Sequence, residues 1–186
     1  MKMKMEKQIV CSNQFEIMIE RLAHQLIENH SDFSETILVG LQPRGVEFTS
    51  RILEKLIEIT KNKDIVSGSL DITFFRDDFG RRDTPIEAQE IDMNVSVEGK
   101  KVVLIDDVLF TGRSIRAAMD ALMSFGRPKQ VELMVLIDRR LKRHLPIQPN
   151  YVGKTVDSIF SERVVVKWKS ENEKVKDEII LLKSEE

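Results

Sequence analysis

The chain has 186 residues, 41% of them hydrophobic and 32% charged, which is the balance of a folded domain with a core and excludes a disordered chain. Its 29 basic and 31 acidic residues leave a net charge of −2, so no overall basic field points to nucleic acid, although a local basic patch stays open. The single cysteine, Cys11, excludes an internal disulfide framework and a cysteine-based zinc site, and reads as a plain reduced thiol. Met1 to Lys7 carries charges with no apolar run behind it, which is not the pattern of a signal peptide. No stretch approaches the ~20 apolar residues that span a bilayer. The default expectation is a cytoplasmic protein with no membrane partner, folded as a single domain over 1–186.

In chain order, Asn13 with Glu16 three residues on predicts a capping box. Phe15, Met18, Leu22 and Leu26 then follow at helical spacing. Thr36 to Val39 predicts a short buried strand stopped at Gly40, and Leu41-Gln42-Pro43-Arg44-Gly45 a loop. A helix is expected from Val46 to about Thr60, with Leu53, Leu56 and Ile57 inward. Ser69 to Phe75 alternates, Leu70, Ile72 and Phe74 against Asp71 and Thr73, and predicts a strand. The polar, charged run 76–92 reads as a long flexible loop of the kind that serves as a lid. Lys101 to Ile105 is apolar on both faces and predicts a central strand. Ile115, Ala118, Met119 and Leu122 form the stripe of the next helix, which Gly126 and Pro128 end. Val131 to Ile137 is a further strand, and Val164–Trp168 with Glu178–Leu182 predicts a closing hairpin.

Strands alternating with helices imply an α/β fold: a mostly parallel, twisted sheet flanked by helices. Such sheets bind ligands beyond the carboxyl ends of their strands. The loops after Val39, Phe75, Ile105 and Ile137 should therefore meet at one edge. They carry the densest polar chemistry of the chain: Gln42-Pro43-Arg44-Gly45, Asp106-Asp107 and Asp138-Arg139-Arg140.

The run Val102 to Ser114 is the most informative. Two carboxylates, Asp106 and Asp107, directly after an apolar strand are costly to desolvate and can accept hydrogen bonds from a pair of sugar hydroxyls. Capping of nearby N–H groups explains such a pair about as well when it stands alone. The turn that follows changes the balance. Gly112 permits close approach and unusual dihedrals, Thr111 and Ser114 add hydroxyls, and a helix start presents N–H groups to an anion. Arg113 can touch that anion or stay in solvent. Diol and anion recognition within thirteen residues fits a sugar with a phosphate on one end.

This run resembles the phosphoribosyl-pyrophosphate (PRPP) signature of type I phosphoribosyltransferases. Leu38 to Val46 is similar to that family's pyrophosphate loop, and Leu70 to Asp78 to the segment leading into its flexible loop. Asp138-Arg139, His144 to Ile147, Tyr151 to Lys154 and Ser161 to Val166 resemble the hood that covers the base. Together these blocks cover most of residues 13 to 168 and are most similar to the pyrimidine-operon attenuation protein/uracil phosphoribosyltransferase branch. The resemblance implies a sheet domain with a small hood, formed mainly by 138–163 with the N-terminal segment. It implies transfer of a phosphoribosyl group from PRPP to a pyrimidine base, uracil first, giving UMP and pyrophosphate in pyrimidine salvage. Asp106, Asp107 and Arg44 would be catalytic. Val108, Leu109, Phe110, Thr111, Gly112, Arg113 and Ser114 would bind the 5′-phosphate of PRPP, and Leu41, Gln42, Pro43, Arg44 and Gly45 the pyrophosphate. Arg76, Asp77 and Asp78 would belong to the flexible loop, and Asp138, Arg139 and Val164 to the base site. Mg²⁺ would be held mainly by PRPP oxygens, with Asp106 or Asp107 reaching it through water.

The hood departs from the family pattern: Arg139 to His144 is one residue longer, and Arg140 stands where relatives have glycine. That leaves a purine base open as an alternative, and a nucleotide sensor without turnover. The family's second activity, UMP-dependent binding of leader RNA that attenuates pyrimidine operons, is the other alternative. Arg21, Lys154 and the 139–143 cluster favour it, whereas Glu16, Glu20 and Glu28 oppose it, so an RNA partner ranks below the small-molecule substrates. Relatives form dimers and higher assemblies, so a homodimer or larger homo-oligomer is expected. Loops of this kind often hold a cis peptide, and sequence does not say whether the 40–45 loop has one.

Overall fold

The computed structural model describes residues 5–77, 96–159, 161–169 and 176–183. Its larger sheet has five strands: β2 (Thr36–Leu41), β3 (Val66–Leu70), β4 (Lys101–Leu109), β5 (Gln130–Arg139) and β6 (Tyr151–Val156). Their spatial order is β3-β2-β4-β5-β6, and every neighbouring pair is parallel. A second, three-stranded antiparallel sheet joins β1 (Met5–Val10), β8 (Glu178–Lys183) and β7 (Glu162–Lys167) in the order β1-β8-β7. The tail forms the expected hairpin, and the N-terminal segment adds the third strand. Residues 138–163 hold the end of β5, a short 3₁₀ turn at Arg140–Lys142, β6 and the start of β7.

Helices α1 (Ser12–His30) and α2 (Arg44–Thr60) cover one face of the large sheet, and α3 (Arg113–Leu122) the other. Strand alternation sorts the core accordingly. Val103 and Ile105 of β4 pack with Leu22, Leu26, Phe48 and Ile52 on the α1–α2 side. Val102 and Leu104 pack with Ile115, Ala118 and Leu122 on the α3 side. The apolar character of β4 on both faces follows from this double coverage.

Several element boundaries differ from expectation. Helix α1 begins two residues earlier: the Gln14 side chain accepts from the Cys11 N–H at 3.2 Å, so the box is Cys11/Gln14 and not Asn13/Glu16. Strand β2 runs through Gly40 to Leu41. Glycine is needed there because a Cβ would collide with Thr49 of α2. Helix α2 starts at Arg44, two residues before Val46. The strand expected at Ser69 to Phe75 is displaced to Val66–Leu70. Asp71 Oδ1 accepts from the Thr73 N–H at 2.8 Å and from its hydroxyl at 2.5 Å, which turns the chain into a 3₁₀ segment at Thr73–Phe75. Local side-chain bonding there overrides the alternation, and Phe74, expected inward, is 61% exposed. On α3 the buried stripe is Ile115, Ala117, Ala118, Ala121 and Leu122, while Met119 faces solvent. Strands β4 and β5 are longer at their carboxyl ends than the apolar runs suggested. This carries Asp106, Asp107 and Asp138 within the strands instead of the loops.

Candidate functional site

The carboxyl ends of β2, β3 and β4 open into one crevice. One part, a cleft of about 530 Å³, is lined by Arg76, Asp77, Asp106 and the turn from Val108 to Ile115. The adjoining part is lined by Leu41, Gln42, Pro43, Arg44, Ile72, Arg76, Asp106, Asp107, Val108, Ser114 and Arg163. Asp106, Arg76, Val108 and Ser114 belong to both, so the two parts share a wall.

Within β4, the Asp107 N–H donates to Asp106 Oδ1 at 2.9 Å. Asp107 is 5% exposed, and its Oδ2 has no hydrogen-bond partner among the described residues. Arg44 Nη1 stands 3.8 Å from that oxygen, within ion-pair reach and too far for a hydrogen bond. The Arg44 side chain is otherwise half exposed. Burial, then the neighbouring Asp107 charge, push the Asp106 carboxyl up to about 8. Burial also raises Asp107, opposed by Arg44. Two acids held this way form a costly arrangement that a ligand rich in hydroxyls relieves.

The turn after β4 is shaped for an anion. Gly112 has φ +90° and precedes α3, whose first-turn N–H groups, at Ser114 and Ile115, lack intrahelical acceptors. The Thr111 carbonyl accepts from the N–H groups of His144 and Leu145, at 3.0 and 3.2 Å, so the segment after β5 braces the turn from behind. Leu109 lines the cleft although the residue is only 1% exposed. Arg113 pairs with Asp77, and both line the cleft. Asp78 and the rest of the expected 76–92 loop lie outside the described residues.

The residues expected to form a pyrophosphate loop lie between the carboxyl end of β2 and the start of α2. The Gln42 N–H donates to the Leu70 carbonyl at 3.0 Å, the Gln42–Pro43 peptide is cis, and Arg44 opens α2. A Cβ on Gly45 would overlap the Ile105 carbonyl oxygen, so glycine lets α2 seat directly on β4 and brings Arg44 to Asp107.

The expected base-site residues are placed differently. Arg143 pairs with Asp138 and donates to the Phe110 carbonyl at 2.6 Å. Arg139 is buried: it donates to Ser158 Oγ at 2.8 Å and to the carbonyls of Ile159 and Glu162 at 3.0 and 2.8 Å, and its Cζ lies 3.9 Å from the Phe110 ring centroid. Val164 points into the core, and its neighbour Arg163 lines the crevice. Alternation along β7, with Glu162, Val164 and Val166 buried, was the signal that could have singled out Arg163.

A glycine turn opening a helix beside paired acids, at the carboxyl edge of a parallel sheet, is an arrangement that can hold a phosphorylated sugar. The model of the phosphoribosyl transferase domain family matches residues 5–171, and the chain belongs to that family. Among curated relatives, the bifunctional protein PyrR of Haemophilus ducreyi is 43% identical over 163 residues, covering 88% of this chain and 90% of its own. That of Chloroflexus aurantiacus is 40% identical over 178 residues, covering 96% of each. Among solved structures, a hypoxanthine phosphoribosyltransferase of Trypanosoma cruzi superposes with a TM-score of 0.72 at 15% identity, over 95% of this chain and 91% of that one. One from Staphylococcus aureus gives 0.66 at 21%, over 86% and 80%. At such identities the structural likeness shows the shared fold alone. Among the described residues, no helix is long and apolar enough to cross a membrane.

Proposed function

We propose that this protein transfers the phosphoribosyl group of PRPP to uracil, giving UMP and pyrophosphate. The observation that carries the reading is the single crevice that joins Asp106 and Asp107, the Thr111–Ser114 turn and the Gln42–Arg44 loop. One ligand with a 5′-phosphate, two ring hydroxyls and a diphosphate spans all three. The C1–O bond to the diphosphate breaks, with its electron pair staying on the departing oxygen. Uracil N1 bonds to C1 and loses its proton to water. Positive charge builds on the ribose as the leaving group departs, as in glycoside hydrolysis. Asp106 and Asp107 orient the hydroxyls, and Asp107, whose charge Arg44 supports, steadies the ribose. Arg44 and the N–H groups beside it meet the diphosphate, and the first turn of α3 grips the 5′-phosphate.

A magnesium ion travelling with PRPP fits this crevice. Among the described residues no cluster of three or more ligating side chains exists to hold a resident metal, whereas Asp107 offers a hard carboxylate oxygen that accepts no hydrogen bond. Asp106 or Asp107 would hold the ion through water. When bound, it would neutralise part of the diphosphate charge.

A second reading, UMP-dependent attenuation through RNA, is favoured by the curated relatives' description as bifunctional. Charge placement ranks it lower. Arg139 is buried, Arg140 pairs with Asp157, Arg143 pairs with Asp138, and Arg21 and Lys154 spend donors on backbone carbonyls. Within the 139–143 cluster, Lys142 is the exposed cation with no ion pair among the described residues and stays available to phosphates.

The deciding assay supplies PRPP and Mg²⁺ with uracil, hypoxanthine, guanine or adenine in turn and identifies the nucleotide formed. UMP alone supports the proposal. A purine nucleotide replaces the base, and no product with any base overturns the enzyme reading. A filter-binding titration of a pyrimidine-leader hairpin with and without UMP, across salt, tests the regulator. Nucleotide-enhanced, steeply salt-dependent binding would establish it.

A further inference from the structure

We infer that Arg163, supplied by the small sheet, is a second arginine of the diphosphate site, opposite Arg44. This rests on the PRPP reading above. Residues at alternate positions of β7 face opposite sides, and Glu162, Val164 and Val166 are buried. Arg163 is exposed on the other side, where it lines the same part of the crevice as Gln42, Pro43, Arg44, Asp106 and Asp107. Most other guanidiniums around the crevice are committed. Arg44 faces Asp107, Arg113 pairs with Asp77, Arg116 with Asp120, Arg143 with Asp138, and Arg139 is buried against carbonyls. Arg163 makes no ion pair or side-chain hydrogen bond among the described residues.

A cation left without a partner beside two acids, on the wall where the diphosphate would lie, has a specific use. PRPP brings several negative charges into this half of the crevice, and cleavage of its C1–O bond leaves the electron pair on the diphosphate oxygen. Arg44 approaches from the large sheet and Arg163 from the small one. A planar, permanently charged fork suits two phosphate oxygens at once. Arg163 thus belongs to recognition of the leaving group. The 5′-phosphate end, gripped by the Thr111–Ser114 turn, lies in the other part of the crevice, which Arg163 does not line.

The test is calorimetric titration of the full chain and its R163Q and R163K variants with Mg²⁺-pyrophosphate, PRPP and UMP. The expected result is that R163Q weakens pyrophosphate and PRPP binding by about tenfold or more while UMP, which has no diphosphate, stays within about twofold. R163K, which keeps the charge and loses the fork, should recover part of the loss. Unchanged pyrophosphate affinity, an equal loss for UMP, or a parent protein that binds no pyrophosphate would overturn the assignment. A parent that binds pyrophosphate but makes no UMP would instead overturn the uracil reading and leave Arg163 in place.

Discussion

Replacing Asp106 with asparagine should stabilise the free protein at neutral and alkaline pH, even though it damages the site. The folded chain holds the Asp106 proton up to about 8, whereas the group's ordinary value is 3.8. Between those values the folded state binds more protons than the unfolded state, so this locus loses stability as pH rises and levels off above about 8. Taken at face value, the shift amounts to several kcal/mol between about pH 5 and about pH 8. Asp106 keeps partial contact with solvent and shares its titration with Asp107, so about 2 kcal/mol is the expected effect. Asparagine has nearly the same shape and keeps the oxygen that accepts from the Asp107 N–H, but carries no charge to desolvate. Urea denaturation of parent and D106N at several pH values measures this directly. The variant should be the more stable at about pH 8, with a melting temperature roughly 4–8 °C higher, and the gap should close toward about pH 5. His30 contributes with the opposite sign. Burial lowers its pKa, so its stability is present above 6.5 and lost as pH falls; that slope is common to both proteins and cancels in their difference. A variant that is less stable at about pH 8, or a gap that does not change with pH, would refute the reasoning.

Asp107→Asn should lower UMP formation by more than about tenfold with the fold retained, since it removes the buried charge that faces Arg44; an unchanged forward rate counts against the assigned role. Gly45→Ala drives a Cβ into the Ile105 carbonyl, so thermal melting should show a loss of about 2 kcal/mol or more and PRPP affinity should fall with it as Arg44 shifts. Tyr151→Phe tests the far edge of the sheet, where the Tyr151 hydroxyl donates to Glu132 at 2.6 Å and His30 Nε2 lies 3.1 Å from the same oxygen. Removing that donor from a half-buried carboxylate should cost about 1–2 kcal/mol in urea melts while leaving kcat unchanged.

How much of this was legible beforehand depended on range. The parallel sheet and its helices followed from apolar periodicity, because burial on one face or both imposes a pattern that local sequence must carry. The turn from Val108 to Ser114 was legible for the same reason: a Gly at positive φ and a helix start are local events, encoded where they occur. Boundaries set by side-chain bonds, such as Asp71 ending β3 or Gln14 opening α1, were not, since alternation is blind to a hydrogen bond two or three residues away.

Contacts across the fold were out of reach altogether. Nothing local says that Arg44 meets Asp107, that Arg143 takes Asp138 and the Phe110 carbonyl, or that β7 turns Val164 inward and Arg163 toward the crevice. The residues along one backbone segment were enough to specify the turn and the paired acids that we propose as a cradle for an anion and a clasp for a pentose. Which charges remain free around that cradle is decided in part by partners tens of residues away, as for Arg44 with Asp107 and Arg113 with Asp77, because pairing depends on distance in space and the sheet order β3-β2-β4-β5-β6 sets those distances.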